Sequence, residues 1–265
     1  MMRTRNPLIL HQDENEIAKI RDYVVSWYEK NWKNREIESF CYDLSRPEDR
    51  LKIFVLGIFF NCILREDEAL QIFKEMEVHG FISLSQLDRF EENVKRVISE
   101  LEKRDGMSHR ILKLQDIVDS VSVAERLFSQ ESDIVGIYRR MNGPEEFIRY
   151  LYDQLSDVKV KLFWLCREYR NLLQIPNEYC YVPDRHVTRF LWNVALISRE
   201  NNFSLDDCLK ISKAMSEHLG NRYFDLPFMR FHQKKCKNRK GCPCEISCRF
   251  NPRTDDNLDR FGLPR

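Results

Sequence analysis

Nine cysteines are spread unevenly along the 265-residue chain. Four of them, Cys236, Cys242, Cys244 and Cys248, fall within thirteen residues. Thiolates at that density are soft ligands that suit either tetrahedral zinc or an iron–sulfur cluster. In a reducing compartment they read as a metal or cofactor loop in preference to a pair of disulfides. Cys41, Cys62, Cys166, Cys180 and Cys208 stand apart in apolar or amphipathic surroundings and read as small buried hydrophobes. Cations crowd the same loop. Lys234, Lys235, Lys237, Arg239, Lys240 and Arg249 are opposed only by Glu245. Such a run is either a solvated tail or a phosphate-binding patch.

Two earlier segments also carry groups able to do chemistry. Lys159 and Lys161 sit in Leu155-Ser156-Asp157-Val158-Lys159-Val160-Lys161-Leu162-Phe163-Trp164. Asp184 lies in Val182-Pro183-Asp184-Arg185-His186-Val187-Thr188-Arg189, ahead of a strongly amphipathic stretch. Their ordinary roles are plain: surface lysines, an N-cap carboxylate accepting backbone N–H groups, and a structural or surface histidine. Their chemical roles are equally definable. A lysine, which titrates near 10.4 in water, becomes a nucleophile once desolvated. A carboxylate stabilises positive charge as it develops.

Helices must position these groups. The chain has only eight glycines and no convincing run of period-two alternation. Ile17, Ile20, Val24 and Trp27–Tyr28 stripe one helix that begins near Asp13. Pro47 opens a second, and its segment 51–60 is apolar on nearly all sides, which suits the centre of a bundle. Further helices are predicted at 66–79, 84–104, 113–129, 131–141, 144–155, 159–173 and 185–199. Ser204 followed by Asp207 predicts a capping box, and Gly220 a helix end. The last fifteen residues read as a loosely ordered tail.

Composition sets outer limits. Hydrophobic residues make up 43% and charged residues 32% of the chain, as in a globular protein. The net charge of +1 gives no global sign of a polyanionic partner. No apolar run approaches the roughly 20 residues that span a bilayer. The start, Met1-Met2-Arg3-Thr4-Arg5, is not followed by a secretory signal pattern. The expectation is a protein with no membrane association, in the cytoplasm or in a nucleus.

Taken in order, these segments resemble the helix-hairpin-helix DNA glycosylase superfamily, in particular its endonuclease III branch. The family hairpin reads Leu-Pro-Gly-Val-Gly-x-Lys, and Leu155, Val158 and Lys161 fall in its register. The family's next helix starts Val-Asp-x-His-Val-x-Arg, which Pro183-Asp184-Arg185-His186-Val187-Thr188-Arg189 matches closely. The cysteine loop follows after a further helical segment, as in the iron–sulfur members, and its start, Cys236 to Cys242, is similar to theirs. The resemblance covers about 50 to 250.

The resemblance implies an all-α, two-lobed fold. Residues 1–46 would form an N-terminal helix packing with the C-terminal lobe, and 47–172 a helical barrel carrying the hairpin. Residues 173–250 would form the C-terminal lobe with the cluster loop, and 251–265 the tail. It implies a bifunctional glycosylase and abasic-site lyase that acts as a monomer on double-stranded DNA. Lys161 would be the nucleophile and Asp184 the charge stabiliser. Lys159, Arg185, His186, Arg189, Lys237, Arg239 and Lys240 would contact DNA or support the site. Cys236, Cys242, Cys244 and Cys248 would hold a [4Fe–4S] cluster, with zinc the alternative.

Several departures accompany the match. Asp157 and Lys159 replace both hairpin glycines, whose backbone N–H groups approach a DNA phosphate in the family. The segment between Lys161 and Asp184 is a few residues longer than in endonuclease III, and archaeal 8-oxoguanine glycosylases share that feature together with a degenerate hairpin. Only Pro243 separates Cys242 from Cys244, a tighter spacing than the family's. Asn61 falls where family members insert a polar side chain into the duplex, and it reads equally as a polar residue of a core helix. Two rival expectations follow: a DNA-binding protein of this fold without catalysis, and a zinc-stabilised helical interaction protein.

Overall fold

The computed structural model describes residues 14–35, 42–62, 66–105, 114–129, 133–155, 161–194, 196–198, 202–220 and 224–236. Among them there are helices and no strands, so the fold is all-α. The α-helices are α1 (Glu14–Asn31), α2 (Pro47–Cys62), α3 (Glu66–Val78), α4 (Phe90–Asp105), α5 (Leu114–Ser129), α6 (Ile134–Arg139), α7 (Pro144–Gln154), α8 (Lys161–Leu173), α9 (Arg185–Asn193), α10 (Leu205–Leu219) and α11 (Leu226–Lys235). The chain divides into two compact units, Phe40–Pro176 and Met1–Ser39 with Asn177–Arg265.

The 40–176 unit is built around α2. Leu51, Ile53, Phe54, Val55, Leu56, Ile58 and Phe59 are all buried, so helix α2 is covered nearly all round, as its apolar sequence requires. Pro47 occupies its first turn with Glu48 and Asp49, which suit the positive end of the helix dipole. Edge-on aromatic pairs join α2 to its neighbours: Phe54 with Phe128 of α5, Phe59 with Phe73 of α3, and Phe60 with Trp164 of α8. Gly57 permits the approach of α8. A Cβ there would stand 2.9 Å from Leu165 Cδ2 and 3.2 Å from Trp164.

Arg50 ties the start of α2 to two other elements. Its guanidinium donates to Asp133, to Leu44 O at 2.8 Å and to Ser45 O at 2.8 Å. Asp133 in turn caps α6, accepting from Val135 N at 2.9 Å. The Arg50 carbonyl accepts from the buried Tyr169 hydroxyl of α8 at 2.6 Å. Burial pushes the Tyr169 phenol well above its ordinary range, so it remains a donor.

The other unit packs α1, α9, α10 and α11 around Ile17, Ile20, Val24, Val187, Phe190, Leu191, Ile211, Met215, Phe228 and Phe231. Phe231 is its aromatic centre, meeting Tyr23 and Trp27 of α1 and Phe190 of α9 edge-on. Ser204 and Asp207 form the expected capping box of α10, and Gly220 ends that helix at φ 67°.

Two helices differ from their sequence-based expectation. The stretch 84–104 begins as a 3-10 turn, Leu84–Arg89, and becomes α-helical at Phe90. Ser83 supplies no side-chain cap to this turn. Helix α9 stops at Asn193 and does not reach 199. There Leu196 N–H reaches back to Leu191 O at 2.8 Å, which closes the helix while keeping Leu196 and Ile197 buried. Apolar periodicity continues through such a stop, so periodicity alone overruns it.

The contact at Gly57 yields a stability prediction. Gly57→Val should overpack the α2–α8 interface and cost about 1–3 kcal/mol, read as a lower urea midpoint. Gly57→Ala should cost less, because a gain of roughly 1 kcal/mol in helix propensity opposes the clash. Equal midpoints for Gly57→Val and the parent would show that the interface yields without strain.

Candidate functional site

Residues 180–184 form a non-helical segment in which each backbone N–H is hydrogen-bonded, beginning with Cys180 N–H to Asn177 O at 2.9 Å. Tyr181 N–H donates to Ser212 Oγ at 3.2 Å, and that hydroxyl donates to Glu178 O at 2.6 Å. Val182 N–H donates to the buried Asp225 carboxylate at 3.1 Å. Pro183 has no N–H to satisfy, and Asp184 N–H closes a tight turn across it onto Val182 O at 2.8 Å. Burial, with the Asp225 carboxylate beside it, raises the Tyr181 phenol above its usual range.

Asp184 is the N-cap of α9. Its Oδ1 accepts from His186 N at 2.7 Å and from Val187 N at 2.8 Å. Its carbonyl accepts from Thr188 N at 2.8 Å and Thr188 Oγ1 at 2.9 Å. Its ordinary sequence role is therefore the observed one. Among the described residues Oδ2 takes no hydrogen bond. The carboxylate is thus held through Oδ1 by two backbone N–H groups.

Cationic side chains gather around this helix start. Arg185 is exposed, and Arg189 is half-buried one turn on. His186 Nδ1 lies 3.1 Å from His232 Nδ1 of α11, with the rings tilted by 49°. Burial pushes His232 down to about 4, helped by the positive fields of His186, Arg189 and Arg185 and opposed by Asp184. His232 is therefore neutral at pH 7, and the pair shares a hydrogen bond in which one Nδ1 donates and the other accepts. The pair links the Asp184 end of α9 to the helix that leads into the cysteine loop. Sequence gave no signal for His232, which stands in Phe231-His232-Gln233 with no recognisable pattern, nor for Ser212 and Asp225.

Lys161 opens α8 in the 40–176 unit. It is half-buried, and Leu162, Phe163 and Trp164 immediately after it are buried. Asn61 is half-buried on α2. Cys236 is the C-cap of α11, half-buried, with its N–H donating to His232 O at 3.2 Å. A thiol that stands where a helix ends can open a ligand loop, so this one residue fits a four-cysteine site. Lys159, Lys237, Arg239, Lys240, Cys242, Cys244 and Cys248 lie outside the described residues. Among the described residues no group of three or more metal-binding side chains comes together, and no helix is long and apolar enough to cross a membrane.

Compared with protein-family models, with curated proteins and with solved structures, the chain matches none.

The cap makes a direct prediction. Asp184→Ala should lower stability by about 0.5–2 kcal/mol, since two α9 N–H groups lose their acceptor. Asp184→Asn should keep most of that stability, because asparagine caps about as well. Equal losses in the two variants, measured by urea unfolding, would mean that the charge and not the cap holds the helix start.

Proposed function

We propose that the chain is a base-excision DNA glycosylase with abasic-site lyase activity. One observation carries this reading above the others: a lysine at one helix start and a half-anchored carboxylate at the next precede a four-cysteine loop in the order that the glycosylase resemblance requires. The chemistry gives that order a reason. The target nucleotide leaves the stack to reach a pocket. The Lys161 amine, deprotonated, attacks C1′ of the deoxyribose. The C1′–N bond breaks and its electron pair leaves with the base, which takes up a proton. Asp184 Oδ2 stabilises the positive charge on the sugar as that bond lengthens. Opening of the sugar ring leaves a Schiff base between Lys161 and C1′. Loss of a C2′ proton then expels the 3′ phosphate by β-elimination and nicks the strand, and water releases the lysine.

Cys236, Cys242, Cys244 and Cys248 are the residues that would hold a [4Fe–4S] cluster in this reading. The cluster would supply a structural cross-link that fixes the loop, and Lys237, Arg239 and Lys240 would meet DNA phosphates from it. Arg185, His186 and Arg189 flank Asp184 and would neutralise the backbone of the flipped nucleotide. The replaced hairpin glycines favour a second reading, a DNA-binding protein without catalysis, and the first experiment separates the two.

Borohydride should trap a covalent adduct between the protein and abasic duplex DNA. Lys161→Ala should abolish it. Undiminished trapping in that variant would move the nucleophile elsewhere, and no adduct with the parent protein would favour binding alone. Asp184→Asn should lower the cleavage rate by about 10²–10³, the loss typical when one electrostatic stabiliser is removed, with DNA affinity largely kept. Protein prepared without oxygen should be brown and contain four irons. Stoichiometric zinc without iron would replace the cluster with a zinc site.

A further inference from the structure

Helices α9 and α11 meet along two rungs. His186 and Phe190 are four residues apart on α9, and Phe228 and His232 are four apart on α11, so each pair shares one helix face. Phe190 meets Phe228 at 5.2 Å between ring centroids, and His186 meets His232 at 5.3 Å. The order of the rungs makes the two helices antiparallel, so the first turn of α9 lies beside the last turn of α11. The phenylalanine rung lies in the core, where Phe231 adds a second contact to Phe190 at 5.8 Å. The histidine rung lies at the Asp184 end.

The two rungs differ in kind. Burial of apolar rings has no direction, so it decides which face of α9 is down and tolerates a small turn of the helix about its axis. A hydrogen bond is directional. His186 Nδ1 and His232 Nδ1 stand 3.1 Å apart, one donating and the other accepting. His232 is buried, and among the described residues its ring bonds to His186 alone. A leucine or phenylalanine would fill the same space without the cost of burying a polar ring, so packing does not account for a histidine here.

The ring that His232 holds belongs to a residue of the cap. The His186 backbone N–H donates to Asp184 Oδ1 at 2.7 Å, and the Val187 N–H at 2.8 Å. A nine-residue helix cannot fix its own first turn. We propose that His232 is a positioning residue for Asp184: by holding the His186 ring it sets the rotation of the first turn of α9, and with it the direction of the Asp184 carboxylate. This deepens the glycosylase reading, and its consequence for the reaction rests on that reading. A carboxylate turned away from the sugar loses part of its stabilising field. Affinity for duplex DNA, which comes from cations, is left as it was.

Amide hydrogen exchange followed by NMR tests the structural part without any substrate. His232→Phe keeps an aromatic ring and removes the bond. It should speed exchange at the His186 and Val187 amides by about 3–10-fold, the range that an ordinary net hydrogen bond supports, and leave the Asp207 amide of the α10 capping box unchanged. His232→Asn, whose side-chain amide offers a donor and an acceptor near the place of Nδ1, should restore slow exchange. With protein in excess over abasic duplex, His232→Phe should lower the cleavage rate by about the same factor at unchanged duplex affinity, and His232→Asn should recover it. Unchanged exchange at His186 and Val187 overturns the proposal, as does an equal rise at Asp207, which marks general loosening. Unchanged cleavage beside faster exchange overturns it as well. Should His232→Phe not fold, His232→Leu is read against the same outcomes. A parent that never cleaves abasic DNA overturns the enzymatic reading, and the exchange comparison alone then decides whether His232 holds the cap.

Discussion

A helix of nine residues cannot hold itself together in water, and α9 is such a helix. It depends on the hydrogen bonds that Asp184 Oδ1 accepts and on the aromatic core beneath Phe190. The first fixes where the helix starts and the second fixes which face is down. Asp184 is itself placed by the segment before it, through Ser212 and Asp225. Helices α9 and α10 and the residue before α11 thus contribute to the placing of one carboxylate. Capping and charge stabilisation do not compete for this group, because a carboxylate has two oxygens and the cap uses one. In the proposed reading, a carboxylate already fixed as a cap would have the preorganisation that electrostatic catalysis needs.

Arg50 plays the corresponding part in the other unit. Its guanidinium and its carbonyl together bind the approach to α2, the cap of α6 and the Tyr169 hydroxyl of α8. A buried guanidinium left without its partners would be costly, so this knot specifies one arrangement of the three elements. The same α8 begins with Lys161. The position of the lysine is therefore set in part from behind, by the packing of Leu165 and Trp164 on Gly57 and by the Tyr169 bond.

This explains what could be read from the sequence. The all-helical class was legible because amphipathic stripes such as Ile17, Ile20 and Val24 are local and periodic. The Asp184 cap and the Ser204–Asp207 box were legible because a cap bond spans only two or three residues. The end of α9 was not, because the Leu196–Leu191 closure leaves the apolar pattern unbroken. The His186–His232 bond joins positions 46 residues apart, and no spacing rule reaches that far.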